Sequence, residues 1–119
     1  MNDAGSQRRG TFTELARQTI SPYGAAKGGI QMLTQSMAAD LARFNVQVDA
    51  VSPGYFRTEL NTALIADPAF NAWVEARTPA GRWGEVSELE GTLLFLCSPG
   101  ADFVTGQNIF VDGGMTTSV

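Results

Sequence analysis

Apolar residues recur at steps of three and four through residues 30–44, which is typical of one face of an α-helix. The residues at these steps are Ile30, Leu33, Met37, Leu41 and Phe44. Ser21 and Pro22 are favoured at a helix start, and Asn45 is favoured at a left-handed stop. The pattern therefore predicts a helix from Ser21 to about Phe44, with its apolar stripe lying on a core.

Two short runs have the composition of β-strands. The first runs from Val46 to Val51 and ends at Pro53 and Gly54. Its alternation is imperfect, which favours a strand buried on both faces of a parallel sheet. The second run lies in "GQNIFVDGG" and ends at two glycines. We therefore predict two strands that end at glycine-containing turns.

Two more helices are predicted between these strands. Asp67 and Pro68 are typical of a helix start before "AFNAWVEAR", and "GEVSELEGTLLFLCSPG" predicts another helix that ends near Ser98 and Pro99. The order helix, strand, helix, helix, strand indicates an α/β fold, a partial doubly wound parallel sheet of the Rossmann type. Two strands cannot cover the apolar faces of three helices, so we expect only part of a sheet. Residues 1–12 lack a period and are predicted to be poorly structured.

Composition narrows the chemistry that the chain can perform. It has no histidine and a single cysteine, so the commonest general base and metal ligand is missing, and we predict no metal site. A net charge of −4 argues against binding to nucleic acid. The chain has no apolar run long enough to span a membrane and no secretory signal, so we expect a cytoplasmic location.

Tyr23 and Lys27 lie four residues apart, which places them on one face of the predicted helix. An ammonium group beside a phenol favours the phenolate, and a base near neutral pH needs a tyrosine pKa lowered by about 3 units, or roughly 4 kcal/mol. Gly24, Gly28 and Gly29 cost this helix roughly 2 to 3 kcal/mol in total. We therefore expect close approach of another backbone, a second helix or a flat ligand to offset that cost.

Four motifs in this order resemble the C-terminal half of a short-chain dehydrogenase/reductase. They are Tyr23-x-x-x-Lys27, "VSPG" at the end of a strand, Thr58 shortly after it, and "VTGQNIFVDGG". The resemblance covers residues 13–119. Within the family it is greatest to members that act on sugar acids such as gluconate or on polyols, through "ISPYGAAKGGIQMLT", "SPGYFRTELNTAL" and "WVEARTPAGRWGE".

The resemblance implies NAD- or NADP-dependent hydride transfer between a secondary alcohol and a ketone. It implies that Tyr23 is the general acid/base and that Lys27 lowers its pKa and binds the nicotinamide ribose. It further places four residues of one turn at the cofactor, in addition to Tyr23 and Lys27. These are Pro53, Gly54, Phe56 and Thr58. A homo-oligomer with a small-molecule substrate is expected, with no nucleic-acid or membrane partner.

The chain also departs from the family pattern. Gly10 stands where the family has a catalytic serine, Asp49 replaces a common asparagine, and the motifs of the cofactor-binding front half are absent. Two function classes therefore stay open. The chain is part of a dehydrogenase, or it is a non-catalytic fragment that docks onto full-length relatives.

Other side chains allow both a functional and a packing interpretation. Phe70, Trp73 and Trp83 suit either a substrate mouth or, more simply, packing. Arg77 and Arg82 could bind a sugar-acid carboxylate, although surface salt bridges are the commoner use of arginine. Cys97 lies in an apolar run, which predicts a small buried residue.

Overall fold

Within residues 21–117, which the computed structural model describes with side chains from residue 25 onward, the chain forms helices and short strands. The helices are α1 (Ser21–Leu41), α2 (Thr62–Ala66), α3 (Pro68–Arg77) and α4 (Glu90–Leu96). The strands are β1 (Ala50–Pro53), β2 (Phe56–Arg57), β3 (Gly84–Glu85) and β4 (Asn108–Val111). This order contains the predicted one and adds β2, β3 and α2 to it.

The described residues divide into two compact units. The first unit contains residues 21–50 and 102–109, and the second contains residues 51–101 and 110–117. The predicted unstructured segment 1–12 lies outside the described residues. No helix among residues 21–117 has both the length and the apolar character needed to cross a bilayer.

Helix α1 packs through small residues, and the prediction that its apolar stripe is buried is wrong for the described residues. Thr34 and Ala38 are buried, whereas Leu33 is 57% exposed and Ile30 is 53% exposed. Gly106, whose φ is +75°, brings its backbone so close that a Cβ there would lie 3.4 Å from the Cβ of Ala38. The small face of α1 therefore turns inward because it permits this approach, and the large side chains stay outside.

The helix that begins with α1 ends where the sequence predicts it. A 3-10 turn at Ala42–Phe44 continues the helix. Asn45 then adopts the left-handed conformation with φ 60°, and its N–H donates to the carbonyl of Ala42. Asparagine tolerates this region better than most residues do, so the predicted stop at Asn45 is confirmed.

Strand β1 pairs with β4, but it lies further along the chain than predicted. The regular strand covers Ala50–Pro53 instead of Val46–Val51. Before it, the N–H of Val48 donates to the hydroxyl of Thr105 at 3.0 Å and a carboxylate oxygen of Asp49 accepts from the N–H of Gln107 at 2.9 Å. These side-chain bonds add to backbone bonds between the same two segments, before the regular strand starts.

The β1 and β4 strands run parallel, as the fold class requires. Gly106 donates to the carbonyl of Val48 and Ala50 donates to that of Gln107, so the two segments advance in the same direction. The residues of β1 are half-buried or exposed, so the expected burial of this strand on both faces is not found among the described residues.

The second unit has a core around Val74 and Trp83, both almost fully buried. Helix α3 starts as predicted, because the carboxylate of Asp67 accepts from the N–H groups of Ala69 and Phe70 at 3.0 and 3.4 Å. Strands β2 and β3 form a separate parallel pair. A 3-10 turn at Val86–Leu89 connects β3 to α4.

Cys97 is exposed, so the prediction that it is buried is wrong for the described residues. It lies at the C-terminal cap of α4, where its N–H donates to the carbonyl of Leu93. Leu94 in the same helix is 70% exposed. Leu93 and Phe95 are also exposed, so the apolar character of this run did not decide the burial of Cys97.

Candidate active site

Helix α1 contains both Tyr23 and Lys27, whose spacing of four residues is close to one helical turn. Thr34 and Ala38 follow Lys27 at steps of seven and four, so they continue the same row along the helix. Lys27 itself is exposed, whereas Thr34 and Ala38 are buried. Along this row the side chains are therefore exposed at Lys27 and buried at Thr34 and Ala38.

Gly28 and Gly29 meet no neighbour among the described residues. A Cβ at either position would have no heavy atom within 4 Å outside the local helix backbone. The expected close approach at these glycines is therefore not made by the described part of this chain. A second helix from another molecule or a flat ligand stays a prediction.

The Pro53–Gly54 turn follows the carboxyl end of β1, the edge at which open α/β sheets bind ligands. The N–H of Gly54 donates to the carbonyl of Val111 at 2.9 Å. A Cβ on Gly54 would lie 2.7 Å from the Cβ of Asp112 and 2.8 Å from its Cα. Only glycine therefore fits here without a shift of the backbone.

Phe56 and Thr58 continue from this turn and have different surroundings. Phe56 is 7% exposed, and its ring packs so closely on Gly84 that a Cβ there would lie 2.6 Å from a ring carbon. Thr58 is extended and half-buried, and its side chain makes no capping bond to the 3-10 turn that follows. The side chain of Phe56 is thus a packing group, whereas the role of Thr58 at the cofactor stays a prediction.

Four aromatic rings form a cluster in the second unit. Tyr55 makes edge contacts with the rings of Phe70, Trp73 and Trp83, with centroids 5.7 to 5.8 Å apart. Trp83 is buried and its Nε1–H donates to Asn71 at 2.6 Å, whereas Trp73 is 40% exposed. The packing interpretation is confirmed for Trp83.

Both arginines singled out in the sequence already have protein partners. Arg82 forms a bidentate salt bridge with Glu88, with both N–O distances 2.8 Å. The Arg82 guanidinium, followed by the N–H of Glu85, lowers the pKa of Glu88 to about 2. Arg77 donates to the carbonyl of Met115 at 3.3 Å. The surface salt bridge expected as the commoner use of arginine is confirmed for Arg82.

A cleft of about 220 Å³ opens in the second unit beside this salt bridge. Tyr55 and Asp112 line it, together with Thr78, Arg82 and Glu88. Among residues 21–117, no group of three or more acidic, histidine or cysteine side chains could hold a metal ion. The cleft is thus a mixed polar and aromatic surface without a metal site in the described part of the chain.

Comparison with known proteins decides the family. A family model for short-chain dehydrogenases, described as enoyl-(acyl carrier protein) reductase, matches residues 11–116. The chain belongs to the short-chain dehydrogenase/reductase family. It is 53% identical over 107 residues to 5-keto-D-gluconate 5-reductase of Escherichia coli K12, covering 90% of this chain and 42% of that protein. It is 50% identical to gluconate 5-dehydrogenase of Gluconobacter oxydans, again covering 42% of that protein.

A solved structure confirms the fold class. The chain matches gluconate 5-dehydrogenase from Burkholderia cenocepacia, solved in complex with NADP and tartrate, with a TM-score of 0.83 and 56% identity. The match covers 91% of this chain and 42% of that one. The described residues therefore have the α/β Rossmann-type fold of this family, and the chain spans less than half the length of these relatives. The limits of the domain at residue 13 and the cytoplasmic location stay predictions.

The structure groups the predicted site residues within their own units. Tyr23 and Lys27 belong to α1 in the first unit, and Pro53, Gly54, Phe56 and Thr58 belong to one segment of the second unit. Sequence reasoning missed Asp112, which touches Gly54. The only available signal was an aspartate before two glycines in "VDGG", and it indicated no more than a turn.

Proposed function

We propose that this chain carries the acid/base residues of an NAD(P)-dependent oxidoreductase that interconverts a secondary alcohol and a ketone. The substrate is a sugar acid or polyol such as gluconate. The observation that carries this proposal is 53% identity to a 5-keto-D-gluconate reductase across 90% of the chain, with Tyr23 and Lys27 on one helical face. The relatives are longer, so the activity belongs to a protein in which the rest of the fold is also present.

The proposed chemistry uses two side chains of α1. In the direction of alcohol oxidation, the phenolate of Tyr23 takes the proton of the substrate hydroxyl. In the reverse direction, the phenol returns that proton to the carbonyl oxygen. Lys27 follows one helical turn later, and an ammonium group beside a phenol favours the phenolate form. NAD or NADP, when bound, supplies or accepts the hydride.

The turn after β1 fits the nicotinamide end of such a cofactor. It follows the carboxyl end of a parallel strand, and Gly54 has no side chain that would fill the adjacent space. Thr58 offers a hydroxyl without a capping bond, suited to the carboxamide. Phe56 contributes through its backbone N–H at most, because its ring packs on Gly84 and its carbonyl accepts from Asn61.

The test joins this chain to the N-terminal half of a longer relative. The front half of the E. coli 5-keto-D-gluconate 5-reductase is fused to this chain, and oxidation of NADPH by 5-keto-D-gluconate is followed by absorbance. Tyr23→Phe keeps the ring but removes the proton, so we expect kcat to fall by at least about a hundredfold. The fused enzyme that keeps Tyr23 is the reference. A kcat of the Tyr23→Phe enzyme comparable to that of the reference would refute the role of Tyr23.

A non-catalytic interaction role remains the second candidate, favoured by one observation. Large apolar side chains of α1 are exposed, with Leu33 at 57% and Met37 at 40%. Such a face suits docking onto another subunit or a second copy of the chain. For the chain alone we expect no NAD(P)-dependent turnover, because positioning of the cofactor supplies much of the catalysis. Calorimetric binding of NADPH to the chain alone at low micromolar Kd would contradict that expectation.

A further inference from the structure

The closest contact of the proposed cofactor turn is with the residue that follows β4. Gly54 donates its N–H to the carbonyl of Val111 at 2.9 Å. A Cβ on Gly54 would meet both the Cβ and the Cα of Asp112 below 3.0 Å. The Cα of Asp112 belongs to the backbone and cannot rotate away. The position of Asp112 therefore limits where the Pro53–Gly54 turn can lie.

Asp112 is itself fixed by three hydrogen bonds to its carboxylate. One oxygen accepts from the N–H of Gly114 at 2.9 Å. The other oxygen accepts from the N–H of Thr116 at 3.0 Å and from its hydroxyl at 2.7 Å. Bonds to an ionised acceptor are stronger than bonds between neutral groups. The carboxylate thus ties the segment after β4 into a rigid turn.

The two glycines after Asp112 make this arrangement possible. Gly113 and Gly114 have φ values of +64° and +92°, which glycine adopts at lower cost than residues with a Cβ. The backbone therefore turns sharply enough for Thr116 to reach back to the carboxylate of Asp112. The N–H of Ala80 donates to the carbonyl of Gly113 at 3.0 Å and anchors the turn from the other side.

We infer that Asp112 and Thr116 are positioning residues, which hold Gly54 where the cofactor of the proposed reaction would meet it. This inference rests on the proposed function for the identity of the ligand at Gly54. The contact of Asp112 with Gly54 and the hydrogen bonds that fix Asp112 all lie within the second unit. Asp112 acts through Gly54, and both of its carboxylate oxygens are occupied by the turn that it stabilises.

The first test measures amide hydrogen exchange by NMR in the full 119-residue chain. Thr116→Val removes the hydroxyl donor and Asp112→Ala removes the acceptor. We expect exchange at the Gly54 N–H to become roughly fivefold faster in the first variant and at least about tenfold faster in the second. Asp112→Asn keeps the shape but loses one acceptor oxygen, so its effect should lie between wild type and Asp112→Ala.

Two controls separate positioning from general destabilisation. Thr117→Val removes a neighbouring hydroxyl bond, to the carbonyl of Gly114 at 2.6 Å, without touching Asp112. It should leave exchange at Gly54 unchanged. The N–H of Cys97, bonded to Leu93 at 3.1 Å in the same unit, serves as the reference amide. Equal acceleration at Gly54 and Cys97 in the Asp112 and Thr116 variants would overturn the inference, as would no acceleration at Gly54.

The second test uses the fused enzyme described above. Thr116→Val should raise the KM for NADPH several-fold more than it lowers kcat, whereas Thr117→Val should change neither. An unchanged KM for NADPH in an active Thr116→Val enzyme would overturn the inference and leave the proposed function intact. A fused enzyme without any activity would instead count against the proposed function, and the exchange experiment would still decide the role of Asp112.

Discussion

Replacing the helical glycines by alanine should stabilise this chain. Glycine in a helix interior costs about 0.5 to 1 kcal/mol relative to alanine, because it loses more conformational freedom on folding. In α1 a Cβ at Gly28 or Gly29 would meet no heavy atom of residues 21–117 within 4 Å, apart from the local helix backbone. Because the described residues leave room for the added methyl group, each substitution should raise the free energy of unfolding by nearly the full 0.5 to about 1 kcal/mol.

The measurement is urea unfolding of the full chain, followed by far-UV circular dichroism. Gly28→Ala and Gly29→Ala together should add about 1 to 2 kcal/mol, which for a domain of this size raises Tm by roughly 4 to 8 °C per kcal/mol. Gly106→Ala is the matched control. Its φ of +75° strains an alanine, so this variant should lose stability.

A loss of stability in either Gly28→Ala or Gly29→Ala would refute this reasoning. It would mean that some group outside the described residues approaches the helix at these positions. Repeating the titration across a range of protein concentrations would identify that group as a second copy if the loss disappears on dilution. A loss that is independent of concentration would point to residues 1–20 of the same chain.

Three further outcomes are expected. Glu88→Gln should lower the free energy of unfolding at neutral pH. The difference from wild type should shrink as the pH falls from 4.5 toward about 2, because Arg82 lowers the pKa of Glu88 only in the folded chain. Both side chains are exposed, so added salt should also reduce that difference in unfolding midpoint. Asp49→Ala should cost about 1 kcal/mol in urea unfolding, because Gln107 loses its acceptor, whereas Asp49→Asn should keep most of that stability. Leu33→Gln should shift the sedimentation of the chain toward monomer, and a wild-type chain that sediments as a monomer at every concentration would contradict the expected self-association.

Local signals predicted the parts of the fold that depend on one residue and its near neighbours. The cap at Asp67 and the stop at Asn45 are of this kind, since each follows from side-chain and backbone geometry within a few residues. The parallel pair of β2 and β3 was missed because two residues are too few to show a period. Its register depends on Phe56 fitting against Gly84, a contact between distant parts of the chain.

Periodicity identified an apolar face on α1 but could not identify what covers it. The stripe through Ile30 and Leu33 is the pattern of a buried helix, yet Thr34 and Ala38 form the packed face. Gly106 packs against Ala38, a contact between distant parts of the chain that the periodicity of one helix does not show. What covers the exposed stripe is therefore not settled by its periodicity, and its docking onto another subunit or a second copy stays a proposal.

The same limit explains which site residues the sequence could reveal. Tyr23 and Lys27 share one helix, so their spacing alone places them together. Asp112 meets Gly54 only because β1 and β4 are neighbours and end at the same edge of a sheet. Its contribution therefore becomes visible only in three dimensions. The proposed positioning role of Asp112 was therefore found from contacts and hydrogen bonds, whereas the proposed acid/base pair was suggested by a local motif.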